Sequence, residues 1–252
     1  MTGDDHALAR DLAVQAGRRL LDLRAHRDSE ADVLRKAGDR LSHEFLTAAL
    51  AALRPGDVVL SEEGADNPAR LGARRVWIVD PLDGTREFGE PGRSDWAVHV
   101  ALWEDGDLTA GAVALPAQGT VLSTLEPPPG PPGDEAPARI RIVVSRSRPP
   151  AFVRNISGLI DAELVPLGSA GAKVAAVVNG EVDAYVHGGG FYEWDTAAPV
   201  AVARAAGLHA SRIDGSALAY NQSDLLMPDI LVCRPAVAGI LLRAIREVTD
   251  AS

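Results

Sequence analysis

The stretch Val76-Trp77-Ile78-Val79-Asp80-Pro81-Leu82-Asp83-Gly84-Thr85-Arg86-Glu87-Phe88 runs four apolar residues straight into two aspartates three positions apart. A short apolar run closed by a turn signal is the pattern of a buried strand. Pro81 lacks a backbone N–H and has a fixed φ, so the sequence predicts a strand over 76–79 and a turn after Asp80. Gly84 lets the backbone come close to a ligand, and Thr85 is a good N-cap for a helix opening at Arg86. Such a turn presents two carboxylates beside helix-start N–H groups, which would donate to a phosphate oxygen. At about 4 Å and an effective dielectric of about 20, two unpaired carboxylates repel by about 4 kcal/mol, a cost that a divalent cation reverses. The alternative is a surface Asp-Pro turn in which Asp83 is an ordinary Asx-turn residue.

Outward from this stretch, Asp4 to about His26 repeats Leu8, Leu12, Ala16, Leu20 and Leu23 at helical spacing behind an acidic start. A second helix is predicted over 39–53 on Leu41, Phe45, Ala49 and Leu53, stopped by Pro55-Gly56. Val58 to Leu60 reads as a strand running into Ser61-Glu62-Glu63-Gly64, so both early strands end in carboxylates. Residues 96–103 and 108–115 flank Asp105-Gly106, the signature of a β-hairpin. Residues 126–137 hold six prolines and two glycines in twelve positions and read as a surface excursion or a domain boundary. Beyond them strands over 139–145, 163–167, 182–186 and 229–233 alternate with helices over 151–160, 170–179, 196–206 and 236–248, an α/β pattern. No internal repeat is visible.

At 252 residues and 46% hydrophobic content the chain can bury a large core. No apolar run reaches the roughly 18 to 20 residues that cross a bilayer, and the opening MTGDDHALARDL is acidic where a signal peptide is basic and apolar, so a cytoplasmic enzyme with no membrane partner is expected. The net charge of −10 argues against long nucleic acid as a partner and leaves room for a small anionic substrate at a metallated acid cluster. Cys233, alone and in an apolar strand, reads as a buried small residue. The six histidines show no metal-like spacing and read as structural or exposed, so a metal would be held by oxygen, which favours Mg²⁺ or Mn²⁺ over zinc.

Three segments together carry a family resemblance. The pattern D-P-L/I-D-G-T is met in full by Asp80 to Thr85, an upstream G-E-E by Ser61-Glu62-Glu63, and a downstream W-D-x-A-A/G by Trp194-Asp195-Thr196-Ala197-Ala198. The chain thus resembles the inositol monophosphatase-like superfamily of lithium-sensitive, magnesium-dependent phosphatases over nearly its whole length. Arg86-Glu87-Phe88, the E-W-D-T-A-A run from Glu193, and Val144-Ser145-Arg146-Ser147 resemble its CysQ-type branch, the 3′-phosphoadenosine-5′-phosphate phosphatases. The resemblance implies a layered α/β/α/β/α sugar-phosphatase fold, with an α+β part over 1–127, an α/β part over 138–252 and the site in the cleft between them.

It also implies roles. Glu62, Asp80 and the backbone carbonyl of Leu82 would bind one Mg²⁺, with Asp80 bridging to a second held also by Asp83 and Asp195. Glu62 and Thr85 would orient a metal-polarised water for in-line attack on phosphorus, with no covalent intermediate. The N–H groups of Gly84 and Thr85 would hold the phosphate, and Asp83 and Asp195 would also meet substrate. Asp39 either caps the second helix or holds a third, weaker metal through water. Ser169, in a G-S-x-x-x-K run ending at Lys173, either meets the nucleotide or caps the helix that follows. Arg146 either pairs with a 5′-phosphate or is a solvated surface arginine, and Tyr192 either stacks on adenine or packs in the core. The expected reaction is hydrolysis of 3′-phosphoadenosine 5′-phosphate to AMP and phosphate, with the sulfated analogue as a further substrate, in sulfur assimilation. Its rivals are inositol 1-phosphate or fructose 1,6-bisphosphate hydrolysis and a catalytically idle nucleotide-binding regulator. A homodimer is compatible with the resemblance.

Overall fold

The computed structural model describes residues 4–26, 30–131, 135–147 and 149–250. Two helices open the chain, α1 (Asp5–Ala25) and α2 (Ala31–Leu53). Asp4 caps α1 by accepting from the His6 N–H at 2.9 Å. The second helix begins at Ala31, not at Asp39, and Glu30 is its N-cap. Its buried stripe is Leu34, Gly38, Ser42, Leu46 and Leu50. Two of those five positions are small or polar, which hides the stripe from a hydrophobicity reading, and Leu53 of the predicted stripe is 53% exposed.

A five-stranded sheet follows in the order β1 (Val58–Ser61), β2 (Arg75–Asp83), β3 (Ala97–Glu104), β4 (Asp107–Leu115) and β5 (Thr120–Ser123). Strands β1 and β2 are parallel and the rest antiparallel. The predicted turn after Asp80 is corrected: β2 runs on through Pro81 to Asp83. The proline is tolerated because β1 pairs only with Val76–Val79, and the pairing with β3 is irregular between Asp80 and Asp83. The following helix α3 (Thr85–Gly89) is short, and its N-cap is Gly84 at φ 83°, not Thr85. Asp105 and Gly106 turn the β3–β4 hairpin with φ of 49° and 106°, the two positive values a two-residue hairpin loop requires.

The second half contains β6 (Arg141–Ser145), α4 (Ala151–Ile160), β7 (Glu163–Leu167), α5 (Ala170–Val178), β8 (Ala184–His187), β9 (Phe191–Tyr192), α6 (Glu193–Ala205), β10 (His209–Ser211), β11 (Leu226–Met227), β12 (Ile230–Cys233) and α7 (Pro235–Asp250). Its main sheet has the order β10-β12-β8-β6-β7, and β9 pairs with β11 alone. Of the proline-rich segment, residues 132–134 lie outside the described residues, and the flanking described ones form no helix or strand. Cys233 is buried, and burial pushes its thiol up to about 12.

Alternation along β2 and β3 builds the layers. Trp77, Val79, Val98 and Val100 face α1 and α2 in one cluster, while Val76, Ile78, Ala97 and Ala101 face α5 and α6 in another. A strand buried on both faces reads as a continuous apolar run, as Val76–Val79 does. Helices α5 and α6 also pack on the inner face of the second sheet through Val143, Tyr185, Ile230 and Val232, and α4 and α7 cover its outer face. The layering is therefore α/β/α/β/α, with α5 and α6 shared by both sheets.

The shared layer needs one close approach. A Cβ on Gly111 of β4 would lie 2.7 Å from the Ala201 Cβ and 3.3 Å from the Ala198 carbonyl oxygen of α6. Gly111→Val is expected to destabilise the protein by about 1–3 kcal/mol, lowering Tm by about 2–4 °C per kcal/mol. Gly56→Ala, where a Cβ meets nothing within 4 Å, should leave Tm within about 2 °C of the parent. Thermal unfolding followed by circular dichroism checks both, and equal melting of the Gly111→Val variant and the parent would contradict the tight α6–β4 contact.

Candidate metal centre

Strand β2 carries Asp80 and Asp83 past the point where β1 has ended, and α6 brings Asp195 in its first turn. One carboxylate oxygen of each of these three residues lies within 4.8 Å of the other two. Glu62, just beyond β1, is exposed as a residue, yet its carboxyl turns inward to hydrogen-bond that of Asp80. The Asp80 carboxylate also accepts from the Leu82 N–H at 3.0 Å. The Leu82 carbonyl is 3.0 Å from the Thr85 hydroxyl, which is also 3.3 Å from Asp39 Oδ1. Asp195 Oδ2 accepts from the Tyr192 N–H at 2.6 Å, which fixes the start of α6.

Asp83 is the anchor of the cluster. Its Oδ2 accepts from the Ser169 hydroxyl, from the Gly171 N–H at 2.7 Å, and faces His99 Nε2 at 3.3 Å. Ser169 also caps α5 by accepting from the Ala172 N–H at 3.0 Å, so its capping role holds and a contact to the acid cluster is added. Ser169 adopts φ 40°, a conformation that L-residues avoid, and buried Lys173 secures it by donating to the carbonyls of Gly168 at 3.0 Å and Ser169 at 2.7 Å.

These placements set the charges. Burial would raise Asp83, but His99, Lys173 and Ser169 outweigh it and hold the carboxyl below its ordinary range. Asp80, 1% exposed, is driven far upward by burial and then by Glu62 and Asp83. Asp195 is pushed up to about 6 by burial first and Asp83 second, and Glu62 to about 8 by lost solvation and then Asp195. Like charges crowded into one volume and deprived of water produce this pattern. An all-oxygen donor set with one member held ionised fits a hard divalent cation, whose charge would remove the repulsion.

Glu62, Asp83 and Asp195 line a cavity of about 630 Å³ between the two halves, while Asp80 is buried and does not reach its surface. Gly84 and Thr85 line it beside Asp83, with Ser169, Tyr185 and Tyr192 from the second half. Asp39 lies inside α2, so its role as that helix's N-cap is excluded; it is half-buried and pushed up to about 6 by burial and then Glu63. Tyr192 does not pack in the core. It is 42% exposed and stacked on Trp194, with ring centroids 4.8 Å apart. Arg146 is partly exposed and outside the cavity lining: it donates to Glu87 Oε1 at 2.7 Å and Glu90 Oε1 at 2.9 Å, tying the end of β6 to α3. Glu193 is fully buried and accepts the N–H groups of Asn221 and Gln222, both at 2.7 Å, so the acid of E-W-D-T-A-A fastens a loop to α6.

His99 is the site residue missed by the sequence reading. It is opposite Asp80 in the β2–β3 register and fully buried against the acids. The signal was its position: alternation puts it on the same face as Ala97 and Ala101, at the level where β2 becomes acidic.

The inositol monophosphatase family profile matches residues 6–250. A 3′-phosphoadenosine 5′-phosphate phosphatase of Mycobacterium leprae is 51% identical over 255 residues, covering 97% of this chain and 94% of that protein. The 3′(2′),5′-bisphosphate nucleotidase CysQ of Escherichia coli is 35% identical over 200 residues, covering 73% of this chain and 78% of that protein. The crystal structure of CysQ from Bacteroides thetaiotaomicron superposes with a TM-score of 0.76 at 28% identity, covering 91% of this chain and 97% of that one. With the acids of three separate segments gathered at one point and a match over nearly its whole length, the chain belongs to the inositol monophosphatase family.

Proposed function

We propose that this chain is a Mg²⁺-dependent phosphatase that hydrolyses the 3′-phosphate of 3′-phosphoadenosine 5′-phosphate to AMP and phosphate. The observation that carries the reading is the convergence of Asp80, Asp83 and Asp195 within 4.8 Å, with Asp83 and Asp195 lining a cavity large enough for a nucleotide. The mycobacterial relative's name supports the substrate, and the exposed Tyr192 ring, backed by buried Trp194, gives the cavity an aromatic wall suited to a base. No helix among the described residues is long and apolar enough to cross a membrane, which accords with a cytoplasmic site of action.

Asp80, Asp83 and Asp195, with Glu62 and the Leu82 carbonyl beside them, would hold Mg²⁺, two or three ions in all with Mn²⁺ as a substitute. Bound there, the metal supplies charge neutralisation for phosphoryl transfer. Glu62 and Thr85 orient the attacking water, and Asp83 keeps its place through Ser169 and Gly171. As the water oxygen bonds to phosphorus the P–O3′ bond breaks, and the proton lost from water balances the one gained by the 3′-oxygen. Gly84 and Thr85 present backbone N–H groups to the phosphate, Ser169 lies within reach of the nucleotide, and Asp39 is the outlying carboxylate for a weaker third ion through water.

Asp83→Ala is expected to lower kcat on 3′-phosphoadenosine 5′-phosphate by about 100-fold or more while the circular dichroism spectrum is kept. A substrate panel at fixed Mg²⁺, with inositol 1-phosphate and fructose 1,6-bisphosphate beside the nucleotide, tests the substrate. A higher kcat/KM for inositol 1-phosphate would overturn the nucleotide reading, and no phosphate release from any of the three would favour a binding regulator.

Stability provides a separate check. Glu62, Asp80 and Asp195 ionise at higher pH in the folded protein than in the unfolded chain, so the folded state binds more protons across this range. Stability of the chelated protein should therefore fall as pH rises from about 4 through about 8. Asp83, held below its ordinary range, acts in the opposite sense only at lower pH. In EDTA, Tm should be lower at pH 8 than at pH 5.5, Mg²⁺ should restore it at pH 8, and Asp195→Asn should flatten the fall. Calorimetry showing a level Tm over this range and no response to Mg²⁺ would refute the charge assignment.

A further inference from the structure

We propose that His99 is a positioning residue that sets the separation of Asp83 on β2 from Asp195 at the start of α6. The inference rests on the reading that the acid cluster binds a divalent cation. The imidazole is 0% exposed and spans the two elements: Nε2 is 3.3 Å from Asp83 Oδ2, and Nδ1 is 3.2 Å from the carbonyl oxygen of Trp194, the residue before Asp195. Asp80 Oδ2 lies 4.0 Å from Nδ1. The Asp83 carboxylate and the Trp194 carbonyl thus present acceptor oxygens on opposite sides of the ring. Nε2 has no hydrogen bond of good geometry among the described residues, so it is a buried polar atom aimed into the acids.

A packing role alone does not explain this side chain. Its nearest neighbours on that strand face are Ala97 and Ala101, within an apolar cluster, and burying an imidazole there costs solvation that an aliphatic residue would not. The seat of the ring depends on a glycine. A Cβ on Gly171 would fall 2.2 Å from Nε2, and the next atom it would meet is the Ala97 Cβ at 3.1 Å. Gly171 therefore leaves the space that the imidazole fills beside Asp83, while its own N–H holds the same carboxylate oxygen. His99 thereby joins β2, α5 and α6 at one point, and the spacing of the acids follows from where the ring sits.

The test is Mn²⁺ affinity of the substrate-free protein at pH 7.5, read by electron paramagnetic resonance titration, with Tm measured beside it. His99→Phe keeps the ring volume and removes the donors. Gly171→Ala displaces the ring and raises helix propensity, so a weaker metal site would not reflect a weaker helix. Both should raise the Mn²⁺ Kd by about 10–100-fold, the range for partners that orient metal ligands. His99→Gln, which returns an N–H donor of similar reach, should stay within about threefold of the parent. A folded His99→Phe or Gly171→Ala variant that binds Mn²⁺ like the parent overturns the proposal, as does His99→Gln binding as weakly as His99→Phe. If His99→Phe fails to fold, the other two variants decide on the same thresholds. A parent that binds no Mn²⁺ would instead overturn the metal reading itself.

Discussion

The structure depends on keeping Asp83 charged while it is buried. Two carboxylates at about 4 Å repel by about 4 kcal/mol at an effective dielectric of about 20, and this site holds three within 4.8 Å and a fourth hydrogen-bonded to one of them. The fold meets that cost at one oxygen. Asp83 Oδ2 gathers donors from the loop before α5 and from α5 itself, with the imidazole of β3 alongside. Lys173 adds positive charge from within α5 and pins the strained Ser169. Fixing one acid in the ionised form leaves the others to absorb the repulsion, and Asp80 and Asp195 move upward together. A site arranged in this way is costly empty and favourable when occupied by positive charge.

That arrangement explains the five layers. Helices α5 and α6 contact both sheets, so neither half completes its core alone. Asp80 and Asp83 come from the sheet of the first half, while Ser169, Gly171 and Asp195 come from the shared helices. The close approach at Gly111 holds the middle of α6 and the loop fastened by Glu193 holds its start, and Asp195 inherits that fixed position. The precision of the metal centre is thus a property of the shared core.

Much of this was legible in the sequence, for a physical reason. The acids sit at the end of a buried strand, where the change from apolar run to carboxylate is abrupt at Val79-Asp80, or at a helix start, as Asp195 does. The boundaries were less legible. Pro81 suggested a strand end because the sequence does not show that β1 stops pairing at Val79, which removes the demand for the missing N–H. The first two turns of α2 were hidden because Gly38 takes the place of an apolar residue: a Cβ there would be 2.7 Å from the Phe88 ring. His99 was unreadable as a site residue because its importance lies in the register opposite Asp80 and in contacts with residues 83 and 194, which only tertiary structure reveals.

Charge also decides what the cavity can recruit. Two basic residues near the site are already committed. Arg146 is held by Glu87 and Glu90, and the Lys173 ammonium by two backbone carbonyls. A phosphate would have to displace a two-carboxylate partner to win Arg146, an exchange of one charge-assisted contact for another with little net gain. Arg86 at the rim is the exposed cation among the described lining residues, and one arginine does not offset four acids on the floor. A divalent cation among these acids would reverse the sign of the floor toward an anionic ester, while the arginine and the lysine stay tied to partners of their own.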